Sequence, residues 1–94
     1  MTTPIHPTTL EHEDGNALAG ALGEIFAVDL TTADGRCAGC GFTGPIAGLR
    51  VYNHAPGLVA RCPACEQVVL RLVRGPGHAW LDLHGTAVLR IPLP

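Results

Sequence analysis

Four cysteines carry the clearest chemical signal in this sequence, because they form two identical pairs. Cys37 and Cys40 make one Cys-x-x-C pair, Cys62 and Cys65 make the other, and 21 residues lie between the pairs. A tight turn between two cysteines at this spacing directs both sulfurs at one point, and backbone N–H groups of the turn offset their charge. Thiolate is a preferred ligand of zinc. The spacing therefore predicts one four-thiolate zinc site.

Other roles of the cysteines are compatible with the same spacing. Two disulfides require an oxidising compartment, and the first residues of the chain show neither the cationic segment nor the apolar run of a signal peptide. A redox-active pair usually begins a helix, and neither pair here begins a helical pattern. An iron–sulfur cluster uses the same soft ligands, so the cysteines alone do not separate iron from zinc. In a zinc site, four thiolates leave no position for water, which disfavours metal-assisted hydrolysis.

The residues beside the cysteines predict how the two turns are built. Gly41 follows the first pair, where a positive φ costs glycine little. Glu66 has the equivalent position after the second pair, which predicts strain there. Arg36 and Arg61 each precede a pair and are predicted to offset the negative charge of the site, and Phe42 is expected to pack beside the metal.

A short amphipathic helix is predicted before the first pair. Asp14 is a good N-cap, and an apolar stripe with helical spacing follows within residues 15–27, consisting of Leu18, Leu22, Ile25 and Phe26. Gly20 and Gly23 weaken this helix, so it is expected to depend on packing. Glycine on its contact face would let it lie close to a sheet.

Strands are predicted around both cysteine pairs. The second pair is expected at the tip of a β-hairpin, because residues 58–61 run into it and residues 67–73 run out of it. The other predicted elements before residue 58 are a strand over 27–32, a turn over 33–35, a strand over 49–53 and a turn over 54–57.

Two more strands are predicted near the end of the sequence. With a three-residue loop over 83–85 and Gly85 in the left-handed conformation, Asp82 pairs with Thr86. This register gives the strand pair one apolar face and a second face that is more polar. The polar face is a candidate surface for a ligand or a partner and includes His78, Trp80, Asp82 and Arg90.

Length and composition indicate one small folded domain. Of the 94 residues, 47% are hydrophobic and 15% are charged, which is compatible with a compact core. A chain of this size buries only about 60–65% of its unfolded surface, so a metal cross-link would add useful stability. No apolar run reaches the ~20 residues of a membrane-spanning helix, and a cytoplasmic location is expected. Residues 1–13 are predicted to form a mobile tail and residues 14–94 the domain.

The charges are divided unevenly along the sequence. Residues 1–35 contain six acidic residues and no arginine, a net charge of −6, whereas residues 36–94 contain six arginines and two acidic residues, a net charge of +4. The acidic segment is expected to fold against the basic one, although a basic surface is also typical of nucleic-acid binding.

With its two Cys-x-x-C pairs, the chain resembles the zinc-ribbon superfamily, in which two such turns hold one zinc ion at the end of an antiparallel sheet. The superfamily pattern C-P-x-C-G is present only in halves, as Pro63 in the second pair and Gly41 after the first. Segments 14–20, 54–58 and 80–83 are more closely similar to a group of small uncharacterised bacterial proteins, classed as a domain of unknown function. The resemblance implies a metal and a fold but no activity.

The expected fold is mainly β (small α+β): a zinc ribbon with an antiparallel sheet of about five or six strands, one N-terminal amphipathic helix and one structural Zn²⁺. No catalytic constellation is recognisable, so the predicted function is a non-catalytic adaptor that binds protein. One alternative is nucleic-acid binding, which requires a shared face for Arg50, Arg71, Arg74 and Arg90. The other is a thiol redox or zinc-sensing protein with an accessible metal site.

Overall fold

The computed structural model describes residues 12–27, 29–54 and 57–93. They form one short α-helix, α1 (Ala19–Gly23), three 3₁₀ helices (Gly15–Leu18, Leu30–Thr32 and Ile46–Gly48) and eight strands. The strands are β1 (Glu13–Asp14), β2 (Asp34–Cys37), β3 (Thr43–Pro45), β4 (Arg50–His54), β5 (Gly57–Arg61), β6 (Val68–Gly75), β7 (His78–Asp82) and β8 (Thr86–Arg90). Of the predicted mobile tail, residues 1–11 lie outside the described residues, and Glu13 pairs with Val51.

The strands make two antiparallel sheets, where the sequence predicted one. The larger sheet has five strands in the order β1-β4-β5-β6-β7, and the smaller has three in the order β3-β2-β8. The mainly β class is therefore confirmed, and the expectation of a single sheet with five or six strands is wrong.

The core lies on one face of the five-stranded sheet. Cross-strand pairing places Val51, Ala60 and Leu70 side by side in β4, β5 and β6, and all three are buried. Helical segments supply the other side of the core through Leu18, Leu22, Leu30 and Ile46. Apolar burial of this kind is the main source of stability in a small domain.

The N-terminal helix begins as predicted but is shorter. Asp14 Oδ1 accepts a hydrogen bond from Asn16 N at 3.0 Å, so Asp14 is the N-cap. The helical segment ends at Gly23, which leaves Ile25 beyond it and exposed. The helical segments among residues 12–93 that the structure describes are all too short to span a bilayer.

The close approach between the 3₁₀ helices Gly15–Leu18 and Ile46–Gly48 depends on Gly15. A Cβ atom at Gly15 would lie 1.6 Å from the carbonyl oxygen of Ile46, so no side chain fits there. Gly20 and Gly23, the glycines predicted to permit such packing, face open space instead. The expected close contact of a helix glycine with a sheet is therefore wrong, because the close contact is made by Gly15 and its neighbour is the 3₁₀ helix Ile46–Gly48.

The strand predicted over 27–32 is replaced by a 3₁₀ helix. Asp29 Oδ1 accepts hydrogen bonds from Thr31 Oγ1 at 2.6 Å and from Thr31 N at 3.0 Å, and this local bonding competes with strand pairing. The same two bonds, the side-chain bond first, hold the pKa of Asp29 below its usual value. The predicted turn over 33–35 is also wrong, because β2 begins at Asp34.

The last two strands form where they are predicted but do not pair with each other. β7 pairs with β6, and β8 crosses to the smaller sheet and pairs with β2. The predicted pair Asp82–Thr86 is therefore wrong, as is the left-handed Gly85, which is absent from the positive-φ glycines of the described chain. A Cβ at Gly85 would lie 1.9 Å from Val68 O, so this glycine is needed for close approach to β6. Packing of the turn on β6 separates the two strands.

The strand predicted over 49–53 corresponds to β4, and the hairpin around the second cysteine pair corresponds to β5 and β6. The turn predicted over 54–57 includes residues 55 and 56, which lie outside the described residues.

Candidate metal centre

Each cysteine pair lies between two antiparallel strands. Cys37 ends β2, and the chain returns as β3 with Arg36 paired to Thr43. The second pair lies between β5 and β6, where Arg61 pairs with Val68. The second hairpin agrees with the prediction, whereas the sequence predicts a turn at Asp34 and Gly35, where the structure has the first strand of the other hairpin.

The two turns, which we name the first knuckle (37–42) and the second knuckle (62–67), share one hydrogen-bond pattern. In each, the N–H of the first cysteine donates to the carbonyl five residues later, Phe42 O or Gln67 O, at 2.9 Å. The N–H of the residue after the second cysteine donates back to the first cysteine, from Gly41 N at 2.9 Å and from Glu66 N at 2.8 Å. The similarity of the two sequences is therefore repeated in the backbone.

Both knuckles contain a residue with positive φ after their second cysteine. Gly41 has φ +80°, and Glu66 has φ 66°. A side chain in this conformation is strained, so the predicted strain of the second knuckle is confirmed. Two arginines hold the segment in place: Arg50 Nη1 lies 2.6 Å from Glu66 Oε2, and Arg61 Nη1 donates to Glu66 O at 2.9 Å.

The knuckles bring the four cysteine sulfurs into one cluster. All four Sγ atoms lie within 4.8 Å of one another, and Cys37–Cys65 and Cys40–Cys62 are each separated by 3.7 Å. A disulfide requires about 2.05 Å between sulfurs, so these are free thiols. A tetrahedral ion with Zn–S bonds of about 2.3 Å separates its sulfurs by about 3.8 Å. The spacing fits a metal ion bound by four thiolates.

Backbone N–H groups point at the cluster from both knuckles. Phe42 N lies 3.4 Å from the Sγ of Cys40, and Ala64 N lies 3.3 Å from the Sγ of Cys62. Such donors stabilise thiolate charge and orient the sulfurs. Phe42, expected to pack beside the metal, is 43% exposed, and it contacts the cluster through its backbone N–H.

Three of the cysteine thiols, those of Cys37, Cys40 and Cys65, have a pKa shifted from its ordinary value. The N–H of Cys40 is the largest influence on Cys37 and lowers the pKa of that thiol to about 7. The N–H of Gln67 lowers the pKa of Cys65, but burial and the neighbouring thiols outweigh this effect and raise that pKa to about 12. The pKa of Cys40 is raised for the same reasons, against the N–H of Phe42. A cation among the four sulfurs would favour the thiolate form of these groups.

The cluster joins the two sheets and is open on one side. The first knuckle belongs to the three-stranded sheet and the second to the five-stranded sheet. Cys37 and Cys62 are buried, Cys65 is partly buried, and Cys40 is exposed. The turn after β7 supports the first knuckle, because Ala38 N donates to Gly85 O at 2.9 Å. This support was not predicted, because it depends on β7 and β8 lying in different sheets.

The two arginines predicted to offset the charge of the site differ in their surroundings. Arg36 is exposed on β2. Arg61 binds the backbone of the second knuckle at Glu66, and its guanidinium lies 5.9 Å from the centre of the Tyr52 ring. Of the two, Arg61 is the one that the structure connects to a knuckle.

The structure divides the predicted binding face between the sheets. His78, Trp80 and Asp82 alternate along β7 on one exposed face, with the rings of His78 and Trp80 6.2 Å apart. Arg90 lies on β8 in the other sheet, where its guanidinium is 3.3 Å from Asp34 Oδ2. We call His78, Trp80 and Asp82 the β7 face.

The comparisons with known proteins agree with the resemblance to a domain of unknown function, and they supply no activity. No curated protein and no solved structure matches the chain significantly. A family model described as "Family of unknown function (DUF6510)" matches residues 8–94, a span that includes both knuckles and all eight strands. The chain therefore belongs to the family of unknown function DUF6510.

Proposed function

We propose that the four cysteines bind one zinc ion, and that this ion is structural. The observation that carries the proposal is the separation of 3.7 Å within two cysteine pairs drawn from different knuckles, which fits tetrahedral thiolate coordination. The paired hairpin tips support a zinc-ribbon arrangement. With all four positions taken by sulfur, the ion has no site for a substrate or a reactive water, which favours a non-catalytic role.

Metal analysis of the purified protein tests this proposal. We expect one zinc per chain, and we expect Co²⁺ in its place to give the absorption spectrum of a tetrahedral thiolate complex. Cys62→Ser should lose the metal, because that sulfur is fully buried in the cluster. Thr43→Ser, just outside the first knuckle, is the matched control and should retain it. Iron in place of zinc, or full metal retention in Cys62→Ser, would refute the assignment.

The proposed role of the domain is a protein-interaction adaptor. Trp80 supports it, because a tryptophan 62% exposed on a strand is typical of binding surfaces. The arginines support it too: Arg50, Arg74 and Arg90 each lie beside a carboxylate of this chain, which reduces the net positive charge that these positions offer to a phosphate backbone. Two of these three ion pairs join the acidic first part of the chain to the basic second part.

Retention on immobilised DNA and RNA separates the adaptor role from nucleic-acid binding. An adaptor for protein should pass through both columns at low salt. Salt-dependent retention that weakens in Arg71→Ala would instead support a nucleic-acid interface.

The exposure of Cys40 favours one second candidate, a zinc-releasing thiol sensor. Hydrogen peroxide could oxidise the thiolates of Cys40 and Cys62, 3.7 Å apart, to a disulfide. Two electrons pass to the peroxide, which takes up two protons and leaves as two waters, and the metal loses two ligands. Zinc release at low peroxide, measured with a chromogenic chelator and reversed by a dithiol, would support this role. Retention of zinc at the same dose would exclude it.

A further inference from the structure

We propose that two copies of this chain associate through β7, with their β7 strands antiparallel about a two-fold axis at Trp80. The two five-stranded sheets then form one continuous sheet. This inference names the partner for the interaction part of the proposed function, and it does not depend on which metal the cysteines bind.

β7 has the properties of a strand that can accept another strand. It lies at the edge of the five-stranded sheet and pairs with β6 over five consecutive residues, with no shift of register. An edge strand presents unpaired N–H and C=O groups, and proteins usually block such edges with proline, lysine, bulges or very short strands. β7 contains no proline and no lysine. The opposite edge, β1, is only two residues long, and the edge strand β3 ends in Pro45.

The sequence of β7 is complementary to itself in this arrangement. When Trp80 lies opposite Trp80 of the other copy, His78 lies opposite Asp82 of that copy, and the second His78–Asp82 pair follows by symmetry. An imidazole N–H can donate to a carboxylate in either charge state of the ring. On the other side of the strand, Ala79 meets Leu81, which matches two apolar residues. Each directly opposed pair is thus favourable.

Alternative pairings lack this complementarity. Parallel association would place each Asp82 beside the Asp82 of the other copy, which is unfavourable. β8 is also an edge strand of five residues, with Val88 at its centre, but antiparallel pairing would place Thr86 opposite Arg90 and form no ion pair. The strand that favours association is therefore β7.

The side chains of the β7 face are available for these contacts. Oδ1 of Asp82 accepts the backbone N–H of His84 at 2.8 Å, and no hydrogen bond between described residues uses Oδ2. The Trp80 ring covers Gly75, where a Cβ would lie 3.1 Å from it, yet most of the side chain stays exposed. Two such rings beside one axis would cover each other and remove apolar surface from water. The interface is small, so we expect a dissociation constant in the micromolar range or weaker.

Sedimentation of the metal-loaded protein over a wide concentration range tests the proposal. We expect a monomer–dimer equilibrium, and we expect the emission of Trp80, the single tryptophan, to shift to shorter wavelength as dimer forms. His78→Glu should raise the dissociation constant at least about tenfold, since it places one acidic side chain opposite each Asp82 of the dimer. Adding Asp82→Asn to that variant should recover most of the affinity, because asparagine removes the repulsion and still accepts from His84 N.

Val88→Glu is the matched control, because it adds the same charge at the exposed centre of the other edge strand. Its dissociation constant should equal that of the unmodified protein. A protein that stays monomeric while holding its zinc would overturn this inference and leave the metal proposal intact. A dimer that Val88→Glu weakens, or that His78→Glu leaves unchanged, would assign the contact to another surface and equally overturn it.

Discussion

Glu66 shows how one residue can combine strain and support beside the cysteine cluster. Its φ of 66° is a conformation that favours glycine, and the first knuckle has Gly41 at the same position. The side chain partly offsets the cost through its 2.6 Å contact with Arg50. Both groups are substantially exposed to solvent, so that ion pair contributes no more than about 1 kcal/mol.

Substitutions at this position should separate the two effects. Glu66→Ala keeps the unfavourable φ and loses the ion pair, whereas Glu66→Gly loses the ion pair but relieves the backbone. We therefore expect the glycine variant to be more stable than the alanine variant by about 1 kcal/mol. The free energy of unfolding in denaturant, with excess zinc, measures this difference.

Gly41→Ala is the complementary control in the first knuckle. It should cost about 1 kcal/mol, since a Cβ there meets open space and only the positive φ opposes it. Equal stability of the two Glu66 variants would show that the second knuckle relaxes to an unstrained backbone.

Single residues were predicted well wherever a local rule decides them. The Asp14 cap and the strained Glu66 follow from residue type and position alone. The ion pairs, such as Arg74 with Glu24 at 2.8 Å, could not be predicted, because they join residues that are far apart in the sequence. The same limit applies to Ala38 and Gly85 beside the first knuckle.

Among the elements, tertiary contacts corrected the sequence predictions more often. β4, β5 and β6 are rich in apolar and β-branched residues and were predicted, together with the hairpin that carries the second knuckle. The strand expected over 27–32 failed because Asp29 caps a 3₁₀ helix, and the pairing of β7 with β8 failed because Gly85 packs on Val68. A short loop between two strands is compatible with a hairpin or with a change of sheet, and the sequence does not choose between them.

Two glycine-to-alanine substitutions in the N-terminal helical segment should change the stability of the protein in opposite directions. Gly15→Ala places a Cβ 1.6 Å from Ile46 O, so the segment must move, and we expect a loss of about 2 kcal/mol or more. Gly20→Ala meets no atom within 4 Å, and it should gain up to about 1 kcal/mol from helix propensity. Thermal unfolding of both variants tests the pair of expectations. A destabilised Gly20→Ala would mean that the helix packs on its Gly20 side after all.

At the scale of the whole molecule, the cysteine cluster is the place where the two sheets are joined, one knuckle coming from each sheet. The strands of the five-stranded sheet supply five of the thirteen buried core residues of the described chain, namely Val51, Ala60, Val69, Leu70 and Leu72. The strands of the smaller sheet are mostly exposed or half-buried, and Cys37 is its one buried strand residue. The stability of the smaller sheet should therefore depend on the metal far more than that of the larger sheet.

Metal removal should destabilise the smaller sheet more than the larger one. After chelation we expect amide hydrogen exchange to accelerate more in β2, β3 and β8 than in β4, β5 and β6, because only the first group lacks a core of its own. The midpoint of thermal unfolding should fall by more than ~10 °C, and adding zinc back should restore both properties. Uniform acceleration across both sheets would show instead that the chain unfolds as one unit without its metal.

The pairing of β2 with β8 also fixes an order of events during synthesis. The first cysteine pair leaves the ribosome early, but its strand is flanked on one side by Thr86–Arg90, which emerges about 50 residues later. The Gly85 carbonyl that binds Ala38 N arrives only then as well. The first knuckle thus acquires its full surroundings at a late stage, and an ion captured during translation would be held at first by two hairpins whose common framework is still incomplete.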